Sequence, residues 1–243
     1  MPSIDSKTVL DQVREALTSE PRVAPRARQI ALDFADGALT LEGEVADIAA
    51  KKLALERAAA VPGVDTIVDR LHVTPAVRMG DGEIRDDVRN ALLQEPAFAQ
   101  FAISERVSGA VQVVREPVAQ RRGWIEIDVT GGIVLLNGEV PGLDDKRLAG
   151  VLAWWVPGSR DVVNGIAVTP VEEDSDYAIA EAVRLVLEKD PFVNAGQIRV
   201  GVLRSVVTLT GLVPKEGERD MAEFDAWYVF GVDRVDNRIE VRA

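Results

Sequence analysis

Apolar and polar residues follow one order that occurs three times along the chain. In each copy a segment with apolar residues at helical spacing precedes two segments that alternate with a period of two. A Gly-x-Val motif, a second helical segment and a closing alternating segment then follow. The pattern predicts an α-β-β-α-β unit with an antiparallel hairpin and a crossover helix that packs on the same face as the first helix.

The copies keep register through their second halves without a gap. The separations of 95 and 73 residues that join Gly43, Gly138 and Gly211 also join Gly63, Gly158 and Gly231. Repeated supersecondary units of this kind predict an α+β chain of three tandem domains, each a three-stranded mixed sheet with two helices on one face. The predicted domains are residues 1–75, 76–170 and 171–243.

The second copy carries an insertion near residues 99–122. In the second copy, 42 residues separate the proline that follows the first helical segment from the glycine of the Gly-x-Val motif. The same distance is 22 residues in the first copy and 20 in the third. Val111, Val113 and Val114 give the extra segment the apolar character of a strand. The sequence therefore predicts an extended hairpin there.

Composition excludes several classes of protein. The net charge is −12 and every third of the chain is acidic, which argues against nucleic-acid binding because that requires clustered Lys and Arg. Without cysteine there are no disulfides, thiolate metal sites or Cys nucleophiles. No apolar run approaches the ~18 residues of a spanning helix, so we do not expect a transmembrane protein. The N-terminus lacks the basic start and apolar stretch of a secretory signal, which predicts a cytoplasmic protein, or a periplasmic one if a signal has been removed.

The repeat motifs resemble a known family. The Gly-x-Val after the second strand, a Val-x-Gly after the second helix and a closing Val-x-Asn-x-Ile pattern resemble the BON domain, named for bacterial osmotically induced and nodulation proteins. The resemblance implies a non-enzymatic, transport-associated module that binds phospholipid or other envelope components in osmotic or envelope stress. Its expected partners are a phospholipid membrane surface, an envelope protein or a second copy of the chain. The alternative is a soluble protein-interaction or chaperone-like module without lipid binding, which the net acidity favours.

Polar residues indicate no catalysis. The one histidine, His72, has Ala167 and Glu240 as its counterparts in the other copies, so we expect no catalytic residue, metal ligand or cofactor. Other polar residues have structural explanations in the sequence. Asp5, Asp81 and Asp176 lie near helix starts, where carboxylates accept from free N–H groups, and Asp69, Asn164 and Asn237 share one strand position that favours a bulge or a side-chain-to-backbone hydrogen bond.

One candidate headgroup anchor lies in the insertion. Arg115, Arg121 and Arg122 are followed by Trp124, and clustered arginines beside an aromatic residue can bind anionic headgroups. The alternative is a solvated hairpin in which Trp124 merely begins a strand.

A candidate interaction surface lies on the second helices. At 100° per residue, Val151 and Trp154 point away from the sheet of the second copy, as Phe224 and Trp227 do in the third. Exposed apolar patches usually mark interfaces, so we predict that these two helices pack against each other or against one partner. Two alternatives are that the four residues are ordinary core, or that the tryptophans insert into a lipid interface.

Overall fold

The computed structural model describes residues 5–116 and 123–242. The chain divides into two compact units, Met1–Thr74 and Pro75–Ala243. The first unit holds α1 (Ser6–Ser19), β1 (Ala31–Ala35), β2 (Ala38–Val45), α2 (Ile48–Ala59) and β3 (Thr66–Val73). β2 pairs antiparallel with β1 and parallel with β3, which is the predicted three-stranded mixed sheet.

The second unit contains the other two copies. The second copy comprises α3 (Asp81–Gln94), β4 (Ala102–Val107), β5 (Ala110–Arg115), β6 (Trp124–Thr130), β7 (Ile133–Val140), α4 (Leu143–Trp154), β8 (Asp161–Asn164) and β9 (Ala167–Val168). The third comprises α5 (Asp176–Lys189), β10 (Ile198–Leu203), β11 (Val206–Val213), α6 (Glu216–Tyr228) and β12 (Arg234–Val241). The predicted α-β-β-α-β order is therefore present three times.

The sheet of the second copy is larger than the three strands predicted. β4 and β5 form the expected antiparallel hairpin, but this hairpin also joins the sheet, because β4 pairs in parallel with β6. The strand order is β5-β4-β6-β7-β8, with β9 also paired to β7. The insertion thus covers the outer edge of β6. The equivalent edges in the other two copies, those of β1 and β10, have no further strand beside them in the described residues.

The close approach of neighbouring backbone requires glycine in each of the three Gly-x-Val motifs. Gly43, Gly138 and Gly211 all have φ near +150°. A Cβ on Gly138 would lie 2.2 Å from the carbonyl oxygen of Trp124, and one on Gly211 would lie 2.1 Å from that of Gln197. Only glycine fits where the second strand passes the start of the first.

The shared polar position of the closing strands is structural, as predicted. Oδ1 of Asp69, Asn164 and Asn237 accepts from the backbone N–H two residues later, at 2.9, 3.4 and 3.1 Å. The two asparagines also donate from Nδ2 to carbonyl oxygens of Lys146 and Arg219, at 2.8 and 3.1 Å. Each therefore ties its closing strand to the second helix of the same copy.

Two of the aspartates near helix starts act differently from the prediction. Asp5 caps α1 by accepting from the Lys7 N–H, but Asp81 accepts from the hairpin-turn amides of Gly131 and Gly132. Asp176 similarly accepts from Ser205 and Arg204, whose φ angles are +60° and +50°. These backbone hydrogen bonds lower the pKa of Asp176, with a further contribution from the positive charge of Arg204. The carboxylates thus hold the two hairpin turns against the first helices.

Candidate binding surfaces

The second helices of the second and third copies, α4 and α6, contact each other inside the second unit. The ring of Trp154 stacks on that of Tyr228, with centroids 5.4 Å apart and an interplanar angle of 14°. The neighbouring Trp155 donates from Nε1 to Oδ1 of Asp225 at 2.8 Å. Aromatic stacking and a partly buried hydrogen bond therefore join the two domains along these helices.

The four residues of the predicted interaction surface have different environments. Val151 and Trp227 are buried, whereas Trp154 and Phe224 are partly exposed. Trp154 reaches the other domain through Tyr228, while Nε1 of Trp227 donates to Glu223 one turn earlier on its own helix, at 3.4 Å. A single surface formed by all four residues stays a prediction.

A buried arginine forms a second connection between the two domains. Arg147 of α4 is 1% exposed, and its Nε donates to the carbonyl oxygen of Phe230 at 2.9 Å. Its Nη2 forms an ion pair with Asp174, in the segment that leads into α5. Helical angles place Arg147 on the same side of α4 as Trp154 and Val151. The helical angles that indicate the aromatic residues therefore indicate Arg147 as well.

A third connection joins the ends of the two first helices. Lys189, the last residue of α5, donates from Nζ to the carboxylate of Glu95 at 2.9 Å, directly after α3. Glu95 is largely buried and Lys189 is partly exposed, so this ion pair is partly shielded from solvent. The contacts between the second and third domains thus extend from the second helices to the first helices.

Asp225 is an ionisable group in an environment that favours its neutral form. It is 3% exposed, and burial raises the pKa of its carboxyl to about 8. The hydrogen bond from Trp155 opposes this effect, and the negative charge of Asp190 adds to it. The repeat register places Asp225 where the second copy has the buried Leu152. An acidic residue at a position that is apolar in the second copy is the feature of the sequence that indicates Asp225.

The predicted headgroup anchor is only partly described. Arg115 donates from Nε to the carbonyl oxygen of Phe101 at 2.8 Å and from Nη2 to that of Phe98, and burial lowers its pKa. Trp124 begins β6 and is half-buried. Arg121 and Arg122 lie outside the described residues. The guanidinium of Arg115 is thus bound to backbone carbonyls of its own domain.

Neither a metal-binding cluster nor a spanning helix is found in residues 5–116 and 123–242. They contain no group of three or more His, Asp or Glu side chains arranged to hold a metal ion. Among the helices described, none has the length and apolar character needed to cross a membrane. His72 is half-buried on β3.

Comparison with known proteins identifies the family. The model of the BON domain matches residues 5–75, 117–170 and 175–243. The second match begins at 117, so it leaves out α3 and the hairpin of β4 and β5. BON domains are binding modules of a non-catalytic kind. No curated protein matches the chain.

Two solved structures resemble the chain weakly. The first is the C-terminal domain of CdsD, the structural protein of the type III secretion system of Chlamydia trachomatis, at 14% identity and a TM-score of 0.25, covering 99% of this chain and 100% of that one. A second structure of CdsD from the same organism has the same identity and TM-score and covers 97% and 92%. Neither similarity supports a functional inference. The three family matches are decisive, and the chain belongs to the BON domain family, with three copies in tandem.

Proposed function

We propose that this chain is a non-enzymatic scaffold that binds a protein partner through its BON domains. The proposal rests on the contacts that the aromatic and basic side chains make within the protein, because these side chains could otherwise bind a lipid surface. Trp154 stacks on Tyr228, Trp227 is buried, and Arg115 binds backbone carbonyls. These contacts join and stabilise domains, which leaves fewer aromatic and basic groups for a membrane.

Charge supports the same proposal. Each Lys or Arg near an anionic leaflet contributes about 1 kcal/mol of attraction, and a chain with a net charge of −12 is repelled overall. A protein partner carries no such uniform negative potential. The phospholipid binding, envelope location and stress role implied by the family stay predictions, and lipid binding is the outcome that the following experiment is designed to detect.

Co-sedimentation with vesicles tests the proposal. The full chain is mixed with anionic and with neutral phospholipid vesicles at low and at high salt. We expect it to stay in the supernatant under all four conditions, while a basic amphipathic peptide pellets with the anionic vesicles at low salt. Pelleting of the chain with either type of vesicle would favour a lipid-binding function instead. Chemical cross-linking in the native cells is expected to give discrete protein adducts.

A further inference from the structure

The second copy shows how a BON sheet accepts an additional strand. β4 lies along the outer edge of β6 in parallel, with Ala102 opposite Trp124 and Glu105 opposite Ile127. This is the geometry of strand addition, in which backbone hydrogen bonds supply affinity and alternate side chains supply specificity. The chain therefore contains its own example of a bound strand.

Two side chains fix β4 in place. Ile103 is fully buried and belongs to the hydrophobic core of the domain. Two residues later, the carboxylate of Glu105 is 9% exposed and lies 3.2 Å from Nη1 of Arg89 and 3.7 Å from Nε of Arg85. Both arginines belong to α3. The edge is thus recognised by an apolar residue followed, at the next position on the same face, by a carboxylate.

In the third copy the equivalent sheet edge, that of β10, has no strand in the place that β4 takes beside β6 in the described residues. In the repeat register Arg184 of α5 corresponds to Arg89, and Val200 of β10 corresponds to Ile127. Arg184 is 45% exposed; it donates from Nη2 to the carbonyl oxygen of Val200 at 2.9 Å and pairs with Glu181. In the described residues β10 pairs only with β11, so its other edge is unpaired.

We infer that the edge of β10 binds an extended segment of a partner protein, added in parallel, in which an apolar residue is followed two positions later by an acidic one that pairs with Arg184. This inference rests on the proposed function and names the chemistry of the partner. The exposed Phe192 and Leu203, 72% and 66% exposed, precede and end β10 and offer apolar contact. The position of Arg85 is taken by Ala180, so Arg184 alone supplies the charge.

The corresponding arginine of the first copy is engaged differently. Arg14 donates from Nη1 to the carbonyl oxygens of Ala27 and Ile30, the latter at 2.9 Å. Both acceptors precede β1, whereas Arg184 contacts the middle of its strand. The third copy is therefore the one whose arginine stands where an added carboxylate would lie.

The test uses a fluorescent peptide with the sequence of residues 101–107, which contains β4, and the full chain. Fluorescence anisotropy is expected to show saturable binding, weakened about tenfold by Glu105→Gln in the peptide and by Arg184→Glu in the protein. A peptide with Glu105→Arg should restore binding to the Arg184→Glu protein, which a merely structural role of Arg184 would not produce. Arg234→Glu, an exposed charge reversal on the opposite edge of the same sheet, serves as the control and should bind like wild type.

Hydrogen exchange locates the peptide. We expect slower amide exchange in residues 198–203 and no change in residues 31–35. Absence of saturable binding, equal binding of the Glu105→Gln peptide, or tighter binding by Arg184→Ala would overturn the inference. Self-association of the chain that excludes the peptide would do so as well, because a second copy would then occupy the edge. None of these results alters the vesicle experiment, so the failure of this inference and of the proposed function are distinguishable.

Discussion

Replacing Asp225 with asparagine is expected to raise the free energy of unfolding at pH 8 by roughly 3 to 5 kcal/mol. In the folded chain the carboxyl has a pKa of about 8, against an ordinary value of 3.8. Between these two values the unfolded chain loses a proton that the folded chain keeps. The wild-type free energy of unfolding should therefore fall as pH rises from about 4 to about 8 and level off above that range. Asparagine removes the ionisation and keeps the oxygen that accepts from Trp155.

Urea denaturation of both proteins at pH 4.5 and pH 8 measures this effect. The stabilisation by Asp225→Asn should be large at pH 8 and only about 1 kcal/mol at pH 4.5, where the folded chain is still protonated and the unfolded chain has begun to ionise. Asp220→Asn, an exposed change on the same helix, is the matched control; it keeps Asp225 and should show the same fall in the free energy of unfolding between the two pH values as wild type. A gain that is equal at the two pH values, or larger at the lower one, would show that Asp225 ionises normally in the folded chain.

Replacing Arg147 with methionine should lower the free energy of unfolding by roughly 3 kcal/mol. The change removes a buried cation that binds Asp174 and the Phe230 carbonyl, and it leaves both acceptors without this partner. Losing one member of a buried charged network costs about 3 to 5 kcal/mol. The lower end applies here because the side chain of Asp174 is about one-third exposed.

Denaturation at neutral pH, followed by tryptophan fluorescence, provides the measurement. All four tryptophans lie in the second unit, so the signal reports on the domains that Arg147 connects. Arg199→Met removes a solvent-exposed arginine from the same unit and should change the free energy of unfolding by less than about 0.5 kcal/mol. Equal stabilities of the two variants would mean that Arg147 contributes no net stabilisation.

The sequence predicts the fold well because the same pattern of apolar residues and glycines occurs three times along the chain. Glycines such as Gly138 kept register because the approach of Trp124 admits no side chain, and the Asn164 position kept its polar character because it bonds to the backbone. The size of the second sheet does not follow from the sequence, because the apolar pattern of β4 and β5 identifies strands but not the strand beside which they lie.

The candidate surfaces were predicted less completely. Helical angles predict that Trp154 points away from its own sheet, but they do not identify Tyr228, on which it stacks, because docking between domains depends on contacts that are distant in sequence. Arg147 and Asp225 are polar, so a pattern of exposed apolar residues does not indicate that they lie between the domains. The sequence predicts that Asp81 caps its own helix, because it does not show how closely the turn at Gly131 approaches this carboxylate.

We expect the second and third domains to behave as one rigid body, because α4 and α6 are joined by the Trp154–Tyr228 stack and the Trp155–Asp225 hydrogen bond. Because the chain has no cysteine, spin labels can be placed selectively with Asp87→Cys on α3 and Glu188→Cys on α5, both exposed. Electron–electron resonance on the full chain should give one distance distribution. It should be as narrow as that of a control pair within the third domain, Glu188→Cys with Arg238→Cys. A broad or two-peaked distribution for the first pair, with a narrow control, would contradict the claim.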